Sequence, residues 1–440
     1  MVANAAAADD FFDTVEISST ALETTDSPWT RRTWLQQKMG YGYRDPGLSF
    51  SRQESDLTRV ETELYGEFDW RRDSWRLRVA GSVVHDWIPD LAQTDIWSGY
   101  NLTREQRDAR RWRFETSDTF VAWQDDEWWV RAGYQTLAWG QAETLKVTDV
   151  LARRDQRWPG QEDLEELRLP VPALSVNWNN ALDLVLLPGM PTDRIPAAFD
   201  EFDPYINLRP TNAATQPNIK HNRGDSPGWA LRWQWRQPGM DMQFIFADVY
   251  SFETAPVSML LTPQPQHLLS ELNLESWRQQ ILGIAIQRVK GSWLFKTEQA
   301  WHKGVNLASS NALTSWPKHD QWRSMVAAEF NGIRDLTVTG ELTWNYTHEH
   351  TNSLLQDQWQ TGQALRVRYA LFNERLTLGG LALHLSGGEG SVARVMADWE
   401  LSDETSISMS VVEYHAHDTD QLLHPYRNND VVLISLRQGF

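Results

Sequence analysis

The sequence predicts an all-β fold, a transmembrane antiparallel β-barrel of about 16–18 strands with short periplasmic turns and long extracellular loops. Three observations predict it. Segments of about ten residues alternate apolar and polar side chains, the period of a strand with one dry and one wet face. The links between these segments alternate between short and long for most of the chain. The 24 Trp residues among 440 far exceed what a soluble chain of this length carries, and indole favours the membrane interface.

Composition sets the limits. A mean hydropathy of -0.53 and the lack of a long apolar run exclude a transmembrane helix but not a barrel, because barrel strands are only half apolar. Zero Cys fits passage through an oxidising periplasm. The formal charge of -18 argues against nucleic acid as a partner. Residues 1–8 carry the small residues of a signal-peptidase site without the basic and apolar regions of a signal peptide, so a mature N-terminus is expected. Residues 1–30, acidic and Ser/Thr-rich with Phe11 and Phe12 as apolar points, are expected to form an arm, and residues 31–440 the barrel.

The first strand is read from Trp34 to Arg44, where Leu35, Met39, Tyr41 and Tyr43 oppose Gln36, Lys38, Gly40 and Gly42. In the following hairpin Val60, Leu64 and Phe68 share the lipid face with Trp75, Leu77 and Val79. Glu61, Glu63, Glu67, Arg76 and Arg78 share the other, as cross-strand ion pairing requires. Strands continue through Trp112–Leu137, Ala173–Leu187, Trp229–Tyr250, Gln279–Trp301, Trp322–Tyr346, Leu365–Leu385 and Val392–Tyr414. The last, Asp430–Phe440, sets Val432, Ile434, Leu436 and Phe440 on one face and ends on an aromatic residue. A soluble β-sandwich has no reason to segregate short and long loops on opposite ends. Arginine at Leu342, on the lipid face, is expected to cost more than arginine at Thr343.

The run Arg131-Ala132-Gly133-Tyr134-Gln135, Trp139-Gly140 and Thr148-Asp149-Val150 leaves a clean strand for a long loop without an obvious turn. In these residues the chain resembles a family of uncharacterised bacterial outer-membrane barrels associated with exporters of the resistance-nodulation-division class. More distantly it is similar to the alginate-export barrels. The resemblance implies traffic of a small organic molecule, no catalysis, and exporter components as partners. Gln438 departs from the apolar residue usual at that point of such C-terminal strands. Anchoring the strand to its loop is the other role open to this run.

Arg131, Arg232, Arg236, Arg366, Arg368, Arg394 and Arg437 join Glu61, Glu63, Arg76 and Arg78 as expected lumen-lining residues, either bracing the walls or lining a conduit. The Pro/Asn-rich stretch 188–228 carries Phe199, Phe202, Tyr205 and Ile206, which a solvated loop does not need, and is expected to constrict the lumen. A second long loop is expected over Ser251–Ser276. His348/His350 and His415/His417 each pair two imidazoles on one strand face, and a solvated rim accounts for them without a metal. No nucleophile motif, phosphate loop or cofactor fingerprint is present. The functional expectation is an outer-membrane protein, surrounded by lipid, that passes an organic, hydrophobic or amphiphilic solute. A non-catalytic receptor and a membrane hydrolase are the alternatives.

Overall fold

The computed structural model describes residues 27–44, 56–91, 108, 110–142, 146–196, 200–203, 218–261, 269–309, 316–386, 390–417 and 423–440. The first strands of the wall are β1 (Trp29–Gly42), β2 (Asp56–Arg72), β3 (Trp75–Asp86), β4 in two pieces (Trp112–Thr116 and Thr119–Gln124), β5 (Trp128–Gln135) and β6 (Val171–Trp178). Next come β7 (Leu182–Leu187), β8 (Gly228–Gln237), β9 (Met240–Leu261), β10 (Leu269–Lys290), β11 (Trp293–Asn306) and β12 (Lys318–Ile333). The wall ends with β13 (Leu336–Thr347), β14 (Trp359–Leu371), β15 (Leu376–Ser386), β16 (Gly390–Glu400), β17 (Thr405–His415) and β18 (Val431–Gly439). The sheet holds 20 strand segments. Joining the two pieces of β4 and setting aside Asn218–Asn222, which pairs with β10 outside the wall, leaves an 18-stranded antiparallel barrel.

Closure runs through β1 and β18, in register from Trp34 opposite Gly439 to Gly42 opposite Val431. The Phe440 N–H adds a bond to the Thr33 carbonyl at 3.1 Å. Every wall strand pairs with a neighbour on each side over at least part of its length, as lipid demands. β4 breaks at Ser117–Asp118, where the Thr119 hydroxyl accepts the Ala80 N–H and shares the Ala80 carbonyl with the Ser117 N–H, each at 3.0 Å. Opposite the break Gly133 holds φ 137°, and a Cβ there would lie 2.3 Å from the Thr119 carbonyl oxygen, so this position requires glycine.

Alternation sorts the wall. Leu64, Phe68, Trp75, Val79, Leu282, Leu342, Leu365 and Ile434 are exposed on the outer surface, while their chain neighbours face the lumen. Outward Trp29, Trp75, Trp128, Trp178, Trp233, Trp293, Trp399 and Phe440 gather at the end where strands are joined by short turns. Trp112, Trp229, Trp322 and Trp359 gather at the end of the long links. These are the two aromatic belts of a membrane-spanning barrel.

Three expectations change. β1 begins at Trp29 rather than Trp34, because Trp29 stacks on Phe68 and Trp70 of β2 with centroids 4.5 and 5.7 Å apart. Much of the stretch expected as a loop over Ser251–Ser276 is instead a hairpin continuing β9 and β10; a register shift between Tyr250 and Thr254 breaks the alternation there. Thr343 faces inward but is only 1% exposed, opposite the buried Met325, so arginine has no room there. The expected N-terminal arm up to residue 26 lies outside the described residues.

Candidate functional site

The inner wall has two chemistries. From β7 to β12 it presents Val185, Ala230, Ala247, Ile281, Ala300, Met325 and Ala327, which are apolar and largely small. Against it packs the segment 136–170, which leaves β5, enters the lumen and returns to β6. Trp139, Ala142, Val147, Val150 and Leu151 of this plug join the wall residues in one core. Small side chains allow the approach: a Cβ on Gly283 would already meet Thr148 Cγ2 at 3.1 Å. Burying apolar groups on both surfaces seats the plug.

Polar bonds fix its register. Glu298 of β11, buried, accepts the Gln141 N–H at 2.6 Å on Oε1, and the Thr148 N–H at 3.1 Å and hydroxyl at 2.6 Å on Oε2. Asp149, fully buried, accepts the Trp139 N–H at 3.1 Å and faces Arg154 and Arg168 at 3.5 and 3.2 Å. Arg168 also donates to the Gly140 carbonyl at 3.2 Å. A Cβ on Gly140 would lie 2.5 Å from the Asp149 nitrogen, so glycine permits this turn. Gln135 donates to the Ala173 carbonyl at 2.9 Å and accepts from Ser175 at 2.9 Å, tying β5 to β6 where the plug departs. Gln135 therefore joins the two strands between which the plug departs and returns, Trp139 packs against the wall, and Gly140 and Asp149 hold the plug's own fold. Arg131 and Gly133 lie just before, the Arg131 guanidinium between the Phe120 and Trp129 rings at 4.2 and 4.3 Å.

The constriction expected from residues 188–228 rests on four residues, of which Phe202 alone is described. The segment 136–170 enters the lumen and sets its apolar Val147, Val150 and Leu151 against the small-residue wall. Of the residues proposed in 188–228, Phe199, Tyr205 and Ile206 lie outside the described residues. Phe202 is buried between Tyr414 and Tyr426, both at 5.4 Å, in a second core with Val392, Val412 and Leu423. Asp193 in the same stretch accepts the Arg154 N–H at 2.8 Å and pairs with Lys146 at 3.2 Å, so it braces the plug.

Opposite the apolar wall the plug leaves a cavity of about 780 Å³, running from Ser27, Pro28 and Arg71 at the short-turn end to Lys38, Arg59 and Glu162 deeper in. Glu61, Glu63, Arg78 and Arg437 line it. Asp69 receives Arg76 at 2.7 Å and Arg78 at 2.8 Å. Arg59 spans Glu61 at 2.7 Å and the plug's Glu162 at 2.6 Å, and stacks on Trp158 at 3.8 Å. A second cavity of about 330 Å³ is lined by Arg131, Arg232 and Arg236; Arg232 pairs with Asp183 at 2.9 Å. Arg394 pairs with Asp163 of the plug. Arg366 and Arg368 fall on the inner face of β14 by alternation with the exposed Leu365.

The family described as "Protein of unknown function (DUF1302)" matches residues 37–419. The chain belongs to this family. No curated protein matches the sequence. Among solved structures it is similar to Salmonella typhi OmpF in complex with daunomycin, at 7% identity and TM-score 0.46, covering 95% of this chain and 100% of that one. It is also similar to Acinetobacter baumannii OccAB3, at 9% identity and TM-score 0.49, covering 94% and 99%. OccAB2 of the same organism gives 8% identity, TM-score 0.49, and 93% and 98% coverage. These findings give the family; they carry neither the exporter association nor the likeness to alginate-export barrels.

In this DUF1302 barrel two of the plug carboxylates that line the cavity, Glu162 and Glu166, act on one another. Burial pushes the Glu162 carboxyl up, but Lys38 at 2.7 Å and Arg59 outweigh it and hold the group well below the usual range. Burial, and then the neighbouring Glu162 charge, push Glu166 up to about 7. Lys38 draws it down and Asp163 adds to the rise. The folded state therefore holds a proton on Glu166 that the unfolded chain releases near 4.5, so stability falls as pH rises from about 4.5 to about 7. Glu166 opens on the cavity, where water moderates the effect. Glu166→Gln is expected to flatten the pH dependence of the thermal midpoint across that window; an unchanged slope would place the titration elsewhere.

The two His pairs do not converge with other ligands. His350 bonds the Gln356 carbonyl, while His415 and His417 meet edge to face at 4.9 Å. Among the described residues of this DUF1302 chain, no group of three His, Cys, Asp or Glu could hold a metal ion.

Proposed function

We propose that this chain is a bacterial outer-membrane channel, its short turns in the periplasm, that passes an amphiphilic organic small molecule without catalysis. The observation that carries this reading is the 780 Å³ cavity beside the plug, where ion-paired arginines and carboxylates alternate with Trp34, Tyr65 and Trp158. An aromatic or aliphatic body stacks on these rings while its polar end exchanges bonds with the charged wall. The plug narrows what eighteen strands otherwise leave as a wide aqueous channel. A receptor is the second reading; it draws on the β9–β10 hairpin, whose outer part packs Leu269, Leu272 and Leu274 against Ile219 in a core of its own.

Swelling of liposomes carrying the purified barrel separates these. Phenylalanine is expected to enter faster than glucose, a polar solute of similar mass, and Trp158→Ala is expected to narrow the difference. Equal entry of both would indicate a general pore. Entry of neither would leave the receptor.

A further inference from the structure

Nearly every arginine lining the 780 Å³ cavity is held by a carboxylate. Arg59, Arg71, Arg78, Arg113, Arg157 and Arg168 all are. Arg32 and Arg437 are the exceptions among the described residues: neither has a carboxylate within ion-pairing distance. Arg437 lies with its guanidinium 4.6 Å from the Trp34 ring, and its Nη2 donates to Gln36 Oε1 at a long 3.3 Å. Its Nε is buried without a partner. With no carboxylate in range among the described residues to neutralise it, the guanidinium offers an anion entering the cavity a charge-assisted bond from its outer nitrogens.

The surroundings favour an aromatic anion. Trp34 stacks on Tyr65 across β1 and β2, with centroids 5.0 Å apart and planes 12° from parallel. Arg32 sits two residues toward the short-turn end of β1, on the same inner face as Trp34. Arg437, opposite Gln36, sits one step the other way on β18. The nearest acid on β2, Glu67, is taken by the Tyr65 hydroxyl at 2.8 Å and by Arg78 at 3.4 Å. We propose that Arg437 and Arg32, flanking the Trp34–Tyr65 stack, form a subsite for an aromatic carboxylate. The ring lies along the stack and the carboxylate accepts from the Arg437 guanidinium and from Arg32. This names the class of solute for the conduit proposed above and rests on that reading, but the binding step is measurable without transport.

The test is calorimetric titration of the detergent-solubilised full chain with 2-naphthoate, 2-naphthylmethanol and sulfate. Naphthoate is expected to bind at least tenfold tighter than either, and to weaken with salt. Arg437→Gln should cost about tenfold in naphthoate affinity and leave naphthylmethanol unchanged. Arg437→Lys should recover part of the loss, and Arg334→Gln, on an exposed turn, should keep the native affinity. Should Arg437→Gln fail to assemble, Arg32→Gln carries the same expectation at the cavity mouth. Equal affinity for acid and alcohol, or no effect of either arginine, overturns the subsite; sulfate binding as tightly as naphthoate overturns its aromatic half. Naphthoate that binds through Arg437 yet does not cross proteoliposomes would sink the conduit and leave the subsite standing. Transport of phenylalanine without arginine-dependent naphthoate binding would do the reverse.

Discussion

Asp149→Ala is expected to destabilise the plug's own fold by about 3–5 kcal/mol, the range for removing one partner of a buried ion pair. The reason is local. Asp149 is fully buried and is the carboxylate facing Arg154 and Arg168, whose side chains are themselves 12% and 11% exposed. Alanine leaves two guanidinium groups partly buried without that charge and strips the Trp139 N–H of its acceptor. Asp149→Asn keeps an acceptor for that N–H and should cost less. Hydrogen exchange reads the effect: amides of residues 146–151 should lose protection while those of β13–β18 keep theirs. Unchanged protection in the plug would show that apolar packing alone seats it.

The next largest effect lies on the outside of the wall. Leu342→Arg places a charge at the centre of β13 on the outer face, where Leu342 is 51% exposed, and should cost about 2–4 kcal/mol in a bilayer. The fair comparison is Thr339→Arg. Thr339 faces the lumen beside Glu329 and Arg366, half-buried, where a guanidinium keeps water and a carboxylate within reach, so the cost should be under about 1 kcal/mol. Folding yields into lipid vesicles across a urea series measure both. Equal midpoints would count against a membrane-facing outer surface. Thr343, further along the strand, is a poor control because the buried Met325 lies opposite it.

The wall is readable because one physical rule, lipid on one face and water on the other, writes itself into every second residue. Val432, Ile434 and Leu436 or Leu64 and Phe68 reveal their side without knowledge of any neighbour. The rule fails where the register shifts, as at Tyr250–Thr254, where four residues of β9 stand against two of β10 and the alternation is interrupted. The plug is harder to see. Its apolar points Val147, Val150 and Leu151 resemble those of any packed loop, and their partners Ala230, Ala247 and Ala300 carry no signal while a lumen is assumed to be wet. Phe202 and its neighbours draw attention because aromatic residues are conspicuous in a Pro/Asn-rich stretch, and Phe202 is buried against the inward-facing Val412 and Leu433. Glu298 can be placed inside by alternation, but its task of gripping Thr148 and Gln141 depends on 150 residues of intervening chain closing into a ring. Long-range pairs of that kind leave no local trace.

The central claim is that a plugged barrel sets the passage, and single-channel conductance tests it most directly. The native chain in a planar bilayer is expected to show low, salt-dependent conductance. Replacing residues 141–167 with a short Gly/Ser linker removes Val147, Thr148, Asp149 and Glu162 together and should raise conductance several-fold, toward that of an open barrel of this strand number. A native channel already wide and freely conducting, with no change on removal of the plug, would contradict the account.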